Sequence, residues 1–319
     1  MTQLLATEAK SFGNWGYLAV DKHFQKIIKH EEAVFRDEDP EELHQMRVGV
    51  RRLRSAIAAF APAIKLPKTA QDQNLGKIGR TLGVLRDLDV LAEAIATQYL
   101  PYLPETEQQV LDQGLKFLQK RRHKALKRVQ KMIQEDLYQD FKQGLQGWLA
   151  QPSYQKLAEI GIQLILPDLL LPEISRLLLH PAWLVGVKIE DTQLNFAENR
   201  AQVFYLEAEV LHDLRKEAKR VRYLLELFTQ FYGEDYQHYL EDIKNIQGVL
   251  GEIQDSFILG EFLTGALKSN WRVEMPTLLS KIQDSREQKY HAWGELQQSF
   301  LQPELRKSLH LTLTQPQSE

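Results

Sequence analysis

Hydrophobic positions recur at helical spacing along nearly every long segment of the chain, whereas alternating runs of β-branched residues are missing and glycines are sparse. This periodicity predicts an all-α protein. We expect nine helical segments, which span residues 14–36, 40–60, 70–98, 105–132, 134–150, 153–179, 196–232, 235–268 and 275–311.

The second of these segments has the best marked ends. Asp39 is suited to cap it, and Pro40 suits the first helical position because its missing N–H has no intrahelical partner there. Pro62 is expected to stop this helix. Gly233 is expected to end the corresponding helix later in the chain.

One segment, residues 180–195, lacks helical spacing. It contains Pro181, Gly186 and a Val-Lys-Ile alternation, so we interpret it as a linker with a short extended piece. Residues 315–319 are expected to be disordered, as chain ends often are.

Two basic stretches, 44–54 and 212–222, follow the same pattern 168 residues apart. The same offset preserves residue identity, without a gap, at positions that include His44, Arg47, Arg52, Arg54, Phe60, Ile78, Leu82, Gly83, Asp87 and Leu91. This predicts an internal duplication that produced two helical bundles of about four helices each. The expected division is a first half over 10–150, an inter-half helix and linker over 151–195, and a second half over 196–311.

Each basic stretch separates into a cationic and an apolar face when it is projected as a helix of about 100° per residue. Arg47, Arg51 and Arg54 fall within about 80° of His44, and His212, Arg215, Lys219 and Arg222 form the equivalent stripe. Lys216 and Tyr223 lie beside the second stripe, and Arg52 and Arg220 lie on the opposite flank. The apolar residues of the two helices are Leu43, Met46, Val50, Leu53, Ile57 and Phe60, and Leu211, Leu214, Ala218, Val221, Leu225 and Phe228.

A third predicted helix has the same design, although it is not part of the repeat. Lysines 116, 120, 124, 127 and 131 project along one face, which Arg121 and Arg128 widen. Such stacked like charges destabilise a helix by a few tenths of a kcal/mol per pair, roughly. Acidic residues that could offset them are absent from 43–71 and from 113–134. A solvated amphipathic face is the simple interpretation of one such run, but three faces favour anion binding.

Arginine strengthens the anion-binding interpretation, because its planar fork makes bidentate bonds to phosphate oxygens. A histidine on the same stripe could donate a hydrogen bond while neutral and add charge when protonated. It could equally be a structural residue bonded to a carbonyl. We expect Asp87 and Asp255 to hold arginines in place rather than to bind metal, since carboxylates would repel a polyanion.

Overall composition limits the class of protein. The 319 residues carry a formal net charge of −3, so bulk charge does not indicate a nucleic-acid binder. Cysteine is absent, which excludes disulfides, thiolate metal sites and cysteine nucleophiles. The first residues do not resemble a signal peptide, and no apolar run reaches the roughly 18 residues of a membrane span. We therefore expect a soluble cytoplasmic protein.

The repeated His-x-x-Arg motifs, together with segment 82–91, segment 249–255 and Trp293 to Phe300, resemble the CHAD family, the conserved-histidine α-helical domain. The resemblance covers roughly residues 10–311 and suggests a stand-alone CHAD domain made of two CHAD repeats. It implies two helical bundles related by a pseudo-twofold axis, with basic helices lining a shared cavity or groove. It also implies binding of inorganic polyphosphate and association with polyphosphate granules.

The resemblance transfers ligand roles to particular residues of this chain. The residues implied by the motif are His44, Arg47, Arg51, Arg52, Arg54, His212, Arg215, Lys216, Lys219, Arg220 and Arg222. Tyr223 is added as a neighbour of the second stripe, and Arg121, Lys124, Lys127 and Arg128 match only in their basic character. Val48 stands where Lys216 supplies a cation in the second copy, so we expect the two halves to contribute unequally.

No catalytic apparatus is predicted. Some family members are fused to a triphosphate-tunnel domain with a Glu-x-Glu-x-Lys signature, but the nearest string here, Glu207-Ala-Glu-Val-Leu211, lacks the lysine and lies in a predicted helix. The basic faces contain no converging carboxylates for Mg²⁺, and no phosphate-binding glycine loop is present. We therefore expect a non-catalytic module without cofactor or metal.

Two alternatives to polyphosphate binding remain at this point. One is a nucleic-acid-binding protein, which the scarcity of aromatic residues on the basic faces disfavours, Tyr223 being the main exception. The other is a helical scaffold that docks an acidic partner or a granule surface. Oligomeric state and chain-length preference do not follow from the sequence.

Overall fold

The computed structural model describes residues 10–191, 193–267 and 270–317. In this part of the chain the protein is all-α, as predicted, with one two-stranded hairpin. The helices are α1 (Phe12–Arg36), α2 (Pro40–Phe60), α3 (Asp72–Ala94), α4 (Glu105–Gln134), α5 (Asp136–Ala150), α6 (Ile162–Leu178), α7 (Arg200–Leu206), α8 (Ala208–Leu225), α9 (Glu234–Ala266), α10 (Trp271–Glu274), α11 (Pro276–Phe300) and α12 (Pro303–Leu313). The hairpin pairs β1 (Val187–Glu190) with β2 (Gln193–Phe196) in antiparallel register.

Helix starts and stops follow the local signals at α2. The carboxylate of Asp39 accepts a hydrogen bond from the backbone N–H of Glu41 at 2.7 Å, and Pro40 occupies the first turn. The helix ends at Phe60, two residues before Pro62. The predicted extended piece in segment 180–195 is confirmed, since β1 contains the Val-Lys-Ile alternation. The end of the predicted helix 235–268 and residues 318–319 of the predicted disordered tail lie outside the described residues.

Three predicted long helices are divided in the structure. Segment 196–232 breaks at Glu207 into α7 and α8, and segment 275–311 breaks before Pro303, which starts α12. Segment 153–179 begins with a short 3-10 turn before α6. The expectation for Gly233 is wrong, because α8 ends at Leu225 and Gly233 instead precedes α9 with a negative φ of −85°. That glycine therefore has no left-handed C-terminal role.

The chain divides into two compact units. Unit 1 comprises described residues 10–102 and 111–165, and unit 2 comprises 103–110 together with the described residues from 166 onward. The duplication and the predicted boundaries of its halves stay predictions.

Unit 1 is built on the close approach of α1 and α2. Gly49 of α2 permits it, since a Cβ there would lie 2.9 Å from Cγ1 of Ile27 in α1. All six residues of the predicted apolar face of α2 are buried. Phe60 at the end of α2 lies with its ring centroid 5.3 Å from that of Phe12. The apolar face of α2 is therefore the core of unit 1, and its opposite face is directed outward.

Unit 2 has its own aromatic core. Trp183 packs between Trp293 and Phe300 of α11, with ring centroids 5.3 Å and 5.2 Å away. The fully buried Gln297 donates hydrogen bonds to the carbonyls of Trp183 and Val185. The predicted apolar face of α8 is buried at every position. Helix α8 thus repeats the inside-outside arrangement of α2.

A buried carboxylate fixes the start of α11 in unit 2. Glu107 is 3% exposed and accepts hydrogen bonds from the backbone N–H groups of Thr277 at 2.9 Å and Leu278 at 3.0 Å. These N–H groups have no intrahelical partner at a helix start, so the negative side chain satisfies them and complements the helix dipole. In the described part of the chain no helix is long and apolar enough to cross a membrane.

Candidate anion-binding site

The first cationic face lies on the outer side of α2. His44, Arg47, Arg51 and Arg54 are all half-buried along it, as the helical projection predicts. Arg47 reaches across to α3, where its guanidinium lies against Gly83 and Nη2 is 3.7 Å from the carboxylate of Asp87. A Cβ on Gly83 would be 3.5 Å from Nε of Arg47. The prediction that Asp87 holds an arginine is confirmed.

Arg54 is more strongly engaged than Arg47. Its Nε and Nη2 donate to the two carboxylate oxygens of Asp72 at 2.7 Å and 3.0 Å, and the bond to Asp72 raises its pKa. Its guanidinium also passes over Gly76 of α3. An anion at this end of the stripe must therefore compete with Asp72.

The second cationic face lies on α8. Arg215 takes the place of Arg47, and its guanidinium lies against Gly251 of α9, where a Cβ would be 3.1 Å from Nε. Nε of Arg215 and Nδ1 of His212 are buried and have no hydrogen-bond partner among the described residues. Such groups cost free energy unless a ligand or water satisfies them. This face therefore has hydrogen-bonding capacity that the described protein groups do not use.

Several cations of the second face are paired with acidic residues of unit 2. Arg220 contacts the carboxylates of Glu173 and Glu217, and Lys216 contacts that of Asp213. Arg222 donates to Glu226 at 2.8 Å and to the amide oxygen of Gln247 at 3.0 Å. Together with Arg54, these residues are constrained by protein partners, whereas Arg215 forms no ion pair with a described residue.

The two stripe histidines experience similar electrostatic surroundings. Burial and then the positive charge of Arg86 lower the pKa of His44. Burial and then the charges of Lys216 and Arg215 lower the pKa of His212. Both imidazoles are therefore neutral at neutral pH in the free protein. The negative charge of a bound polyanion would offset the neighbouring cations and favour protonation of both imidazoles.

The structure adds cations that the sequence analysis did not select. Arg86 of α3 lies close enough to His44 to affect its pKa, and Arg52 lies close to Lys26 and His23 of α1. Lysines 22, 26 and 29 are spaced along one side of α1. The spacing of these lysines can be recognised in the sequence, but the proximity of α1 to Arg52 cannot. Arg52 therefore lies near the cations of α1 within unit 1.

Helix α4 carries the third basic face. Arg121, Lys124, Lys127 and Arg128 are all exposed, in agreement with the projection. Arg122, in the same basic run, has a different role: its guanidinium donates two bonds of 2.7 Å to Asp37, and its Nε donates one of 2.6 Å to the buried Asp89. The α4 face is an exposed cationic strip, and Arg122 belongs to the core of unit 1.

The expectation that Tyr223 is available beside the second stripe is wrong. The side chain is 3% exposed, and the guanidinium of Arg222 lies over its ring at 5.1 Å from the centroid. A helical projection of α8 alone leaves the side of Tyr223 open, but neighbouring side chains cover it in the folded protein. Its ring cannot stack on a ligand in this conformation, which removes the aromatic feature that most favoured nucleic acid.

Acidic residues near the basic faces are arranged for ion pairing. Asp87 faces Arg47, and Asp72 faces Arg54. In the ranges that the structure describes, no group of three or more His, Asp or Glu side chains is placed to hold a metal ion. The functional groups that these faces present are guanidinium, ammonium and imidazole groups.

The cationic faces of α2 and α8 make this all-α protein a candidate for anion binding. Comparison with known proteins identifies its family. A family model described as the CHAD domain matches residues 18–264, so the chain belongs to the CHAD domain family. The chain is similar to the crystal structure of the CHAD domain from the plant Ricinus communis, at 25% identity and a TM-score of 0.58, over 99% of this chain and 97% of that chain. It also matches PptA from Streptomyces chartreusis at 12% identity and a TM-score of 0.65, over 91% of this chain and 100% of that chain, a likeness of fold alone. No curated protein matched the chain.

Proposed function

We propose that this protein binds inorganic polyphosphate through the cationic faces of α2 and α8 and does not cleave it. The CHAD family is associated with polyphosphate binding. The observation that carries the proposal for this chain is the repeated placement of one arginine: Arg47 against Gly83 and Arg215 against Gly251. Two guanidinium groups held in the same way, beside neutral histidines, fit a ligand with a repeating anionic group.

Within these faces we assign the main contacts to the cations that follow each histidine by three and by seven positions and therefore share its stripe. Arg47, Arg51, Arg215 and Lys219 form this group, and guanidinium groups bind phosphate oxygens in bidentate fashion. His44 and His212 donate hydrogen bonds and gain charge when a polyanion approaches. The remaining proposed contacts, which are paired, flanking or on α4, are Arg52, Arg54, Lys216, Arg220, Arg222, Arg121, Lys124, Lys127 and Arg128.

The absence of catalysis is part of the proposal. Phosphoanhydride hydrolysis normally uses Mg²⁺ held by converging carboxylates. Asp87 and Asp72, which lie beside the first face, are paired with arginines. A cytoplasmic location and association with polyphosphate granules belong to the same proposal. The internal duplication, the pseudo-twofold axis and the shared cavity or groove stay predictions.

Binding by a protein in which Arg47, Arg51, Arg215 and Lys219 are all replaced by Met tests the proposal. We expect loss of measurable affinity for long-chain polyphosphate in calorimetry, with the helical circular dichroism spectrum unchanged. The matched control replaces four exposed cations, Arg36, Lys188, Lys244 and Lys307, by Met. It removes the same number of positive charges as the fourfold variant. Equal affinity in both variants would refute the site assignment.

Salt dependence and competition identify the ligand class. Each phosphate that the protein neutralises releases counterions, so affinity falls as the salt concentration rises. For single-stranded nucleic acids the slope of log affinity against log salt concentration is about −0.7 per phosphate contact. The fourfold variant should show a shallower slope wherever binding is still detectable. If single-stranded RNA displaced polyphosphate at equal charge concentration, the nucleic-acid alternative would replace this proposal.

A further inference from the structure

Unit 2 contains a cleft that the polyphosphate proposal does not use. It has a volume of about 770 Å³ and lies between α7, α9, α10 and α11. Its walls are largely apolar and include Tyr205, Phe257, Trp271, Ile282 and Tyr290. Small-molecule sites typically measure about 300–1,000 Å³ and combine apolar and aromatic walls with a few placed polar groups.

One cation in this cleft is held rigidly. The guanidinium of Arg286 lies over Phe257 at 4.1 Å and over Tyr205 at 5.6 Å from the ring centroids. Its Nε donates a hydrogen bond to the hydroxyl of Ser256 at 2.9 Å. Stacking and this bond fix the plane of the guanidinium, and a fixed fork loses little entropy when it binds a carboxylate or similar group.

A second polar group adjoins the cleft without a partner. The hydroxyl of Tyr290 is buried and makes no hydrogen bond to any described residue. Burial raises the pKa of Tyr290 to about 12, so the hydroxyl keeps its proton at neutral pH. A buried donor without an acceptor is unfavourable, and an acceptor bound beside it removes part of this cost.

The charges lining the cleft distinguish it from the basic faces. Arg272 and Arg286 are balanced by Glu261 and Glu287 on its walls. A polyanion gains little from a balanced site, because each added negative group meets a carboxylate. A ligand with one negative group does gain, and any N–H groups it carries can donate to the carboxylates.

We propose that this cleft binds a small molecule with a flat aromatic body and a single acidic group. The body lies against the ring of Tyr205, which is 51% exposed, and the acidic group meets the guanidinium of Arg286. Trp271 is 2% exposed, and its indole N–H is bonded to Thr264 at 3.0 Å, so it is a fixed part of the cleft wall. This binding is independent of polyphosphate.

The fluorescent dye anilinonaphthalene sulfonate has the required shape and charge, and N-phenylnaphthylamine is its uncharged counterpart. We expect one dye molecule to bind each protein molecule, with enhanced and blue-shifted fluorescence. Arg286→Met should weaken sulfonate binding by about tenfold or more, the usual weight of a charge-assisted hydrogen bond, and should change binding of the uncharged dye much less. Arg36→Met, which removes an exposed arginine that does not line the cleft, should leave both affinities unchanged.

A second variant fills the cleft without removing charge. Gly260 of α9 lines it, and a Cβ there would meet only Trp271 at an ordinary contact distance of 3.9 Å. We expect the side chain of Gly260→Leu to occupy the cleft and block both dyes. Gly248→Leu on the same helix, where a Cβ meets nothing within 4 Å and which does not line the cleft, should bind normally. Unchanged binding by Gly260→Leu, equal losses in Arg286→Met and Arg36→Met, or displacement of the sulfonate by excess polyphosphate would each overturn the proposal.

Discussion

The guanidinium of Arg215 lies so close to Gly251 that a methyl group on this glycine would be 3.1 Å from Nε. Arg47 has the same relationship to Gly83, with a wider separation of 3.5 Å. In each unit a glycine on the next helix gives the arginine room to lie flat across the helix surface. The glycine thus determines where the guanidinium is held, although it offers no ligand group itself.

Gly251→Ala should therefore weaken polyphosphate binding without destabilising the protein. The added methyl displaces Arg215, and we expect a loss of about fivefold in affinity, equivalent to about 1 kcal/mol. The melting temperature should not fall, because alanine is better than glycine inside a helix by about 1 kcal/mol. Calorimetric titration and thermal unfolding measure the two quantities.

Two other glycines supply the controls for this prediction. Gly83→Ala should have a smaller effect, since 3.5 Å is an ordinary contact. Gly248→Ala on the same helix, where a Cβ meets nothing within 4 Å, should leave affinity unchanged. If Gly251→Ala bound polyphosphate as well as Gly248→Ala, the positioning role of Gly251 would be refuted.

Polyphosphate affinity should rise as the pH falls. Burial and neighbouring cations lower the pKa of His44 and His212 in the free protein, so both are neutral at pH 7. A polyanion favours the charged form and raises both pKa values, so binding takes up protons. We expect affinity to increase from about pH 8 to about pH 6, across the range in which histidine titrates.

Proton uptake can be measured by titrating in buffers that differ in ionisation enthalpy. The double variant His44→Asn, His212→Asn should show a flatter pH dependence while its residual binding persists. A wild-type affinity that is constant over this pH range, or proton release on binding, would argue against histidines that face the ligand.

The parts of this structure that were predictable from sequence are those encoded locally. The helical period predicted which side of α2 and α8 is buried, and every residue on both apolar faces is buried. Local chemistry also predicted the cap at Asp39. Such features depend only on residues within a few turns of one helix.

Contacts between distant segments were not predictable in this way. Nothing in the basic run of α4 distinguishes Arg122 from its neighbours, yet its partners Asp89 and Asp37 lie 33 and 85 residues away. Tyr223 shows the converse, since a residue placed beside the cationic stripe by projection is covered by its surroundings. The break between α7 and α8 at Glu207 likewise interrupts a helical spacing of apolar residues that continues through this position in the sequence.

The ion-pair network of Arg122 should contribute strongly to stability. Asp89 is 7% exposed, and burial raises its pKa against the opposing effect of Arg122. Arg122→Met leaves Asp89 buried without its cation, and we expect a loss of about 3 kcal/mol in unfolding free energy, as for other broken buried pairs. Arg36→Met, which breaks an exposed pair, should cost less than about 1 kcal/mol. Denaturant unfolding compares the two, and similar losses would contradict the assigned role.

His23 should make the protein less stable in acid. It is 6% exposed, and burial followed by the charges of Arg52, Lys22 and Lys26 lowers its pKa from 6.5 to about 4. The unfolded chain therefore takes up a proton before the folded protein does. The stabilising contribution is complete above about pH 6.5 and is lost as the pH falls to about 4, a change of roughly 3 kcal/mol.

Urea unfolding of wild type and His23→Phe at about pH 7 and about pH 4.5 measures this contribution. Phenylalanine keeps an aromatic ring but cannot take up a proton, so the difference in unfolding free energy between the two pH values should shrink by roughly 2–3 kcal/mol. His23→Gln provides a second neutral replacement in case the larger ring packs poorly. The exposed His291 serves as the control, since His291→Gln should retain the wild-type difference. A pH dependence that is unchanged in both His23 variants would show that other groups cause the acid sensitivity.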